Sequence, residues 1–253
     1  MLFAEWRLIL TGASNAYVNM AIDEATLILM AERRVPPSVR IYYYDAPCYT
    51  VGYLQSVSTL QSMARHAERV YQSHETETLP ETLVYVRRLT GGQSCVHGGD
   101  LAYSLIVSLA DTLIPSNVLD SHERISYGVI EGLRLLGVDA RFAPPTDVLV
   151  DRWPVATAAQ ARRQGVLLHQ GTVALGPPGI KREAALPSVM TTPLSELIGT
   201  QIDFEDAAKA LAMGFRSALG VDLSPGILFA KEKRLARQLV RDKYMQARWN
   251  AMR

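Results

Sequence analysis

Arg87-Arg88-Leu89-Thr90-Gly91-Gly92-Gln93-Ser94-Cys95-Val96-His97-Gly98-Gly99-Asp100 is the most informative stretch of this 253-residue chain. Leu83 to Arg87 has the β-branched and aromatic character of a strand, and Gly91-Gly92 breaks it. Extended character resumes over Ser94 to His97 and Leu101 to Leu109, on either side of Gly98-Gly99. Two residues without side chains let the backbone approach a ligand closely. Adjacent N–H groups and arginines can hold a carboxylate or phosphate, so the loop is a candidate anion site. The competing reading is a hairpin turn whose glycines only supply positive φ. Neighbouring strand residues face opposite sides, so at most one of Arg87 and Arg88 can point at a ligand.

Upstream of the loop, Ser14 or Asn15 can cap a helix through about Arg34, with Val18, Ala21, Ile22, Ala25, Leu27 and Leu29 as an apolar face and Pro36-Pro37 as its stop. Ser38 to Tyr44 and Cys48 to Tyr53 read as two strands, followed by a short helix from about Ser58 to Val70 and a polar loop through HETETLPET. Downstream, Ile125, Val129, Leu133 and Leu136 share one face of a helix over Ser121 to Leu136, and Gly137 stands at its stop. Short strands follow at Ala140 to Phe142, Thr146 to Val150, Val155 to Arg162 and Val166 to Leu175. Beyond Leu197, Phe204 to Phe215 and Leu228 to Trp249 read as two helices. Strands in the middle with helices before and after predict an α+β fold, a mixed, mainly antiparallel sheet flanked by helices. The expected organisation is one main domain over residues 1–200 and a helical extension over 201–253.

With 48% apolar and 20% charged residues, the chain can bury a large core. Twenty-six basic residues against 25 acidic ones leave no cationic excess for nucleic acid or an anionic membrane. No apolar run is long enough to span a bilayer, and the N-terminus lacks signal-peptide features, so a cytoplasmic enzyme or binding protein is expected. Cys48 and Cys95 make no disulfide framework, and no metal-ligand spacing occurs. All five lysines, Lys181, Lys209, Lys231, Lys233 and Lys243, fall in the last third of the chain. Any mechanism that needs a lysine before Lys181 cannot run here in its usual form.

Arg88-Leu89-Thr90-Gly91-Gly92, followed by His97 and Asp100-Leu101-Ala102-Tyr103-Ser104, resembles the RRxTGGxAVxHxxxLxYS signature of lipoate–protein ligases and octanoyltransferases. Trp6-Arg7-Leu8-Ile9 and Asn19 to Ala25 are similar to that family's opening W-R and NMALDEA segments. Pro37, Arg40, Pro47, Gly52 and Gln55 are similar to its first strand pair. Ala156 to Gln160 with Gln164 to Thr172 resembles its AGSAQxRxxGxxLxHGSI hairpin, and Phe215 to Leu219, Lys243-Tyr244 and Trp249-Asn250 resemble the tail of its single-domain octanoyltransferase branch. The resemblance implies a biotin/lipoate protein ligase-like catalytic domain with an acyl tunnel, no covalently bound cofactor, and lipoate or an octanoyl group as substrate. ATP and Mg would be needed only by a ligase. It also implies acyl transfer to a lysine of a lipoyl-domain carrier, of the glycine-cleavage H protein or E2 subunit type, and a possible accessory-domain chain. The acyl or adenylate site would comprise Arg88, Thr90, Gly91, Gly92, Gln93, Ser94, Cys95, His97, Ala158, Ala159 and Gln160.

Two departures stand at the centre of that pattern. Pro154 occupies the position of the lysine that holds the acyl carbonyl or adenylate phosphate, and Val138 to Pro145 contains no cysteine where the transferase branch carries one. Gly98 also replaces the usual Asp. Arg152, Arg162, Arg163 or Arg88 could supply the lost cation. Cys95 is either a nucleophile or a small buried hydrophobe, and His97 either a ligand-binding residue or base, or a histidine satisfied by its loop. Two functions follow: a divergent lipoate or octanoate transferase, or a non-catalytic acyl-binding or scaffolding relative. A biotin-type ligase is the third and weakest alternative.

Overall fold

The computed structural model describes residues 5–56, 84–178 and 191–252. The helix expected over Ser58 to Val70 and the HETETLPET loop lie outside the described residues.

Helix α1 (Ala16–Ala31) starts at Asn15, whose side chain accepts the Val18 N–H at 3.0 Å. It ends earlier than Pro36-Pro37 would dictate, because Arg33 takes a left-handed φ of 57° and turns the chain first. Helix α2 (Val118–Leu135) starts three residues before the sequence suggests, since Asn117 accepts the N–H groups of Leu119 and Asp120. Gly137, at φ 78°, follows its end.

The strands are β1 (Glu5–Ser14), β2 (Ser38–Tyr44), β3 (Cys48–Val51), β4 (Val84–Arg87), β5 (Cys95–His97), β6 (Asp100–Ser108), β7 (Arg141–Ala143), β8 (Asp147–Val150), β9 (Trp153–Arg163), β10 (Val166–Ala174) and β11 (Asp222–Gly226). Eight of them form one sheet in the order β11-β1-β2-β6-β10-β9-β8-β7, and β4-β3-β5 form a second. In the large sheet only β11-β1 and β1-β2 are parallel; the other five neighbour pairs are antiparallel. The expected mixed, mainly antiparallel architecture is therefore what the chain forms. The C-terminal region is more divided than two helices: α3 (Leu194–Ile198), α4 (Phe204–Leu219), α5 (Ala230–Leu239), a π-helical turn Val240–Tyr244 and α6 (Ala247–Asn250).

Strand alternation on β6 sorts the core. Leu101, Tyr103, Leu105 and Val107 pack with Ile125, Val129 and Leu133 of α2 and Leu211 and Phe215 of α4. Ala102 joins Met20, Ala21 and Ala25 of α1 with Ala236 and Tyr244 of the C-terminal segment, and Ile106 joins Leu27 and Leu29 of α1. Helices α2 and α4 come close where glycines leave room for the facing ring or backbone. A Cβ on Gly128 would lie 2.2 Å from the Phe215 ring, and one on Gly214 would lie 2.2 Å from the Gly128 carbonyl oxygen. Among the described residues no helix is long and apolar enough to cross a membrane.

Candidate functional site: a cavity between the glycine loop and the β9–β10 hairpin

The loop from Arg88 to Ser94 joins β4 to β5 and leans on the end of β3, where a Cβ on Gly52 would come within 1.8 Å of the Gly92 carbonyl oxygen. Only glycine fits there. On its other side the loop faces β9: a Cβ on Gly92 would lie 3.5 Å from the Ala159 Cβ. Between loop and hairpin lies a cavity of about 510 Å³. It is lined from α1 and β2 by Met20, Tyr42 and Tyr44, from the loop and small sheet by Thr50, Arg88, Gly91, Gly92, Gln93, Cys95 and His97, and from β9 and β10 by Thr157 to Gln160 and Gln170 to Thr172. Ala102 of β6, Val118 and His122 of α2, and Pro145, Thr146 and Asp147 complete it. That volume is in the ordinary range of small-molecule sites, roughly 300–1,000 Å³.

The two arginines of the sequence pair separate as strand geometry requires. Arg88 lines the cavity, whereas Arg87 is fully buried and donates to the carbonyls of Gly52, Tyr53, Gln55 and Asn250. Arg88 is itself committed to the loop: Nε donates to Thr90 Oγ1 (3.2 Å), Nη1 to Thr50 Oγ1 (2.9 Å), and Nη2 to the carbonyls of Gly91 (2.6 Å) and Gln93 (2.9 Å). The hydrogen-bond chain continues from Thr50 to His97 Nε2 (2.9 Å) and from His97 Nδ1 to Asp100 (2.6 Å). Burial works to raise the Asp100 pKa, but the His97 ring together with hydrogen bonds from His97, Thr172 and the Gly98 N–H outweighs it and holds the carboxyl below its usual range. Tyr44 stacks on His97 at 4.1 Å.

Of the residues singled out in the sequence, Arg88, Gly91, Gly92, Gln93, Cys95, His97, Ala158, Ala159 and Gln160 meet at this cavity. Thr90 and Ser94 do not line it; both are buried behind the wall, Thr90 donating to Gln170 Oε1 at 2.8 Å. Pro154 is also away from it, paired with Leu149 in the β8–β9 ladder and accepting the Thr192 N–H on its carbonyl. Arg152 lies over Trp153, Arg163 over Tyr53, and Arg162 donates to Ser121 Oγ and the Asn117 carbonyl. Arg88 is thus the one lysine or arginine lining the cavity among the described residues.

Both cysteines are buried thiols. Burial, reinforced by Asp100 and opposed by Arg88, pushes Cys95 up to about 12, and burial pushes Cys48 well above its ordinary value. Neither is a thiolate near neutral pH, so neither has the character of an acyl-accepting nucleophile. Sequence reading missed His122, His169 and Asp147. His122 Nδ1 and His169 Nε2 are 3.1 Å apart, and Asp147 accepts from Thr157 at 2.8 Å. The histidine partners lie 47 positions apart, on a helix and a strand, and no local pattern joins them.

The model of the lipoyl protein ligase A/B catalytic domain matches residues 15–216 of the chain. The chain belongs to this family. Among its relatives, octanoyltransferase LipM of Kyrpidia tusciae is 32% identical over an alignment of 281 residues that covers 97% of this chain and 98% of the relative. The LipM of Bacillus subtilis is 29% identical, with 98% of both chains covered. The bipartite lipoate protein ligase of Thermoplasma acidophilum, described with its E2 lipoyl domain, superposes with a TM-score of 0.78 at 23% identity, covering 98% of each chain. The family fold thus places the glycine loop against the β9–β10 hairpin in a chain that carries neither a described cavity lysine nor an ionised cavity cysteine.

Proposed function

We propose that the protein acts in protein lipoylation: it takes an octanoyl or lipoyl group into the cavity and delivers it to the lysine of a lipoyl-domain carrier of the H protein or E2 type. The observation that carries this reading is the open cavity itself. It is bounded by both family segments, in a chain whose alignment with an octanoyltransferase relative covers 97% of this chain and 98% of that relative. Met20, Tyr42, Tyr44 and Ala102 offer apolar surface for an acyl chain, while Gln93 and His122 offer polar groups for its head. Residues 1–200 would form the acyl-handling domain in the cytoplasm, with 201–253 as its helical extension and an accessory chain as an optional partner.

The lining does not fit ATP phosphates. Its one described cation, Arg88, already spends four of its five N–H groups on the loop and Thr50, so no step through an acyl adenylate follows from these residues. The raised thiol of Cys95 and the place of Pro154 outside the cavity favour a second reading, a binding subunit that holds the acyl group without transferring it.

Mass spectrometry separates the two. The full chain is incubated with a lipoyl domain and an octanoyl thioester, and in parallel with octanoate, ATP and Mg²⁺. Octanoylated carrier in the thioester arm is the expected result. Saturable ligand-induced stabilisation without modified carrier in either arm would establish the second reading. Absence of both would refute the pair.

A further inference from the structure

His122 of α2 lines the cavity and meets His169 of β10, Nδ1 to Nε2, at 3.1 Å. His169 is fully buried, stacks against Tyr103 and has no hydrogen-bond partner at Nδ1 among the described residues. Burial holds both imidazoles neutral: His169 lies well below its ordinary value, and burial with the nearby Arg162 charge pushes His122 down to about 4. One ring must therefore donate to the other. If His122 donated, the His169 proton would sit on Nδ1, an orphaned N–H in the core. If His169 donates, its Nδ1 is only an under-used acceptor, which buried structures tolerate better. The second arrangement leaves the His122 proton on Nε2, where it makes no hydrogen bond to a described residue.

The charges around the cavity determine what that N–H can serve. Arg88 is committed to the loop and Thr50. His97 is paired with Asp100, so the two add no positive charge whichever protonation state the ring holds. Asp147 lines the cavity, its Oδ1 accepts from the hydroxyls of Thr157 and Thr146, and no other described residue forms a hydrogen bond or ion pair with its side chain. Among the described residues an anionic head would meet no uncommitted cation there, whereas a carbonyl oxygen would meet a preset donor.

We propose that His122 donates from Nε2 to the carbonyl oxygen of an uncharged acyl head, an amide or thioester rather than a carboxylate or acyl phosphate, with His169 as the positioning residue that fixes its proton. This rests on the acyl reading above and names the head group that the site accepts.

Two measurements on the full chain test it. Imidazole ¹⁵N NMR at pH 7 should find His122 protonated on Nε2 and bare on Nδ1. Replacing His169 by Phe should let His122 exchange between tautomers. A His122 protonated on Nδ1 or on both nitrogens would overturn the proposal. In calorimetric titrations octanamide should bind at least about tenfold more tightly than octanoate, and His122→Phe should lose about tenfold for octanamide while His122→Gln, which keeps an N–H donor, recovers most of it. Octanoate binding as tightly as octanamide, or His122→Phe leaving octanamide affinity unchanged, overturns this proposal alone. Failure of both compounds to bind the unaltered protein overturns the acyl reading with it.

Discussion

His122 and His169 make stability depend on pH in a defined direction. Both are neutral in the fold, with His122 titrating at about 4 and His169 held by burial well below its ordinary value, against about 6.5 in an unfolded chain. Between those values the unfolded state binds more protons than the folded one. Stability is therefore complete above about pH 6.5 and falls as pH drops toward 4. Asp100, whose carboxyl is held below its ordinary value, adds its own loss only at more acid pH. The melting temperature should fall between pH 7 and pH 5, and by less in His169→Phe, which removes one of the two groups. An equal fall in both proteins would mean that the pair is not the source. The residue scale also shows what sequence could offer at the site. The glycine loop and the Ala158 to Gln160 hairpin were legible because each is a continuous run. The His122–His169 contact was not, because it exists only once α2 lies across β10.

At the scale of elements, the α2–α4 contact depends on an absence of side chains. Gly214→Ala would gain up to about 1 kcal/mol of helix propensity, but its Cβ would stand 2.2 Å from the Gly128 carbonyl oxygen and 2.4 Å from the Gly132 nitrogen. Backbone at that distance cannot yield locally. The expected overpacking cost of about 1–3 kcal/mol exceeds the propensity gain, so chemical denaturation should show net destabilisation. A neutral or stabilising result would mean that the helices can separate freely. Most elements were readable from periodicity and punctuation, from α1 to the β9–β10 hairpin. Strands β1 and β11 were not. In β1 a buried Arg7 interrupts the apolar pattern, and its partner is Glu232, 225 positions away, through hydrogen bonds of 2.9 Å. In β11 the sequence Asp222 to Gly226 includes Pro225, which argues against a strand until its place at the sheet edge beside β1 is seen.

Over the whole molecule, the C-terminal segment reaches back to brace the site. Asn250 Oδ1 accepts the Arg87 N–H at 2.9 Å, its carbonyl accepts from the Arg87 guanidinium, and Trp249 Nε1 donates to the Arg87 carbonyl at 2.9 Å. The strand that leads into the glycine loop is thereby held by the end of the chain. Sequence resemblance pointed to these tail residues but gave no reason for them; the reason is that a fully buried guanidinium needs acceptors, and Asn250 and the β3–β4 side supply them. The central claim is that the space between this braced loop and the hairpin holds an acyl group. The most direct measurement is calorimetric titration of octanamide into the unaltered protein and into Ala159→Trp, whose enlarged side chain would occupy the cavity facing Gly92. Saturable binding of one octanamide per chain, abolished in a folded Ala159→Trp protein, is predicted. No binding to the unaltered protein, or equal binding to both, would contradict it.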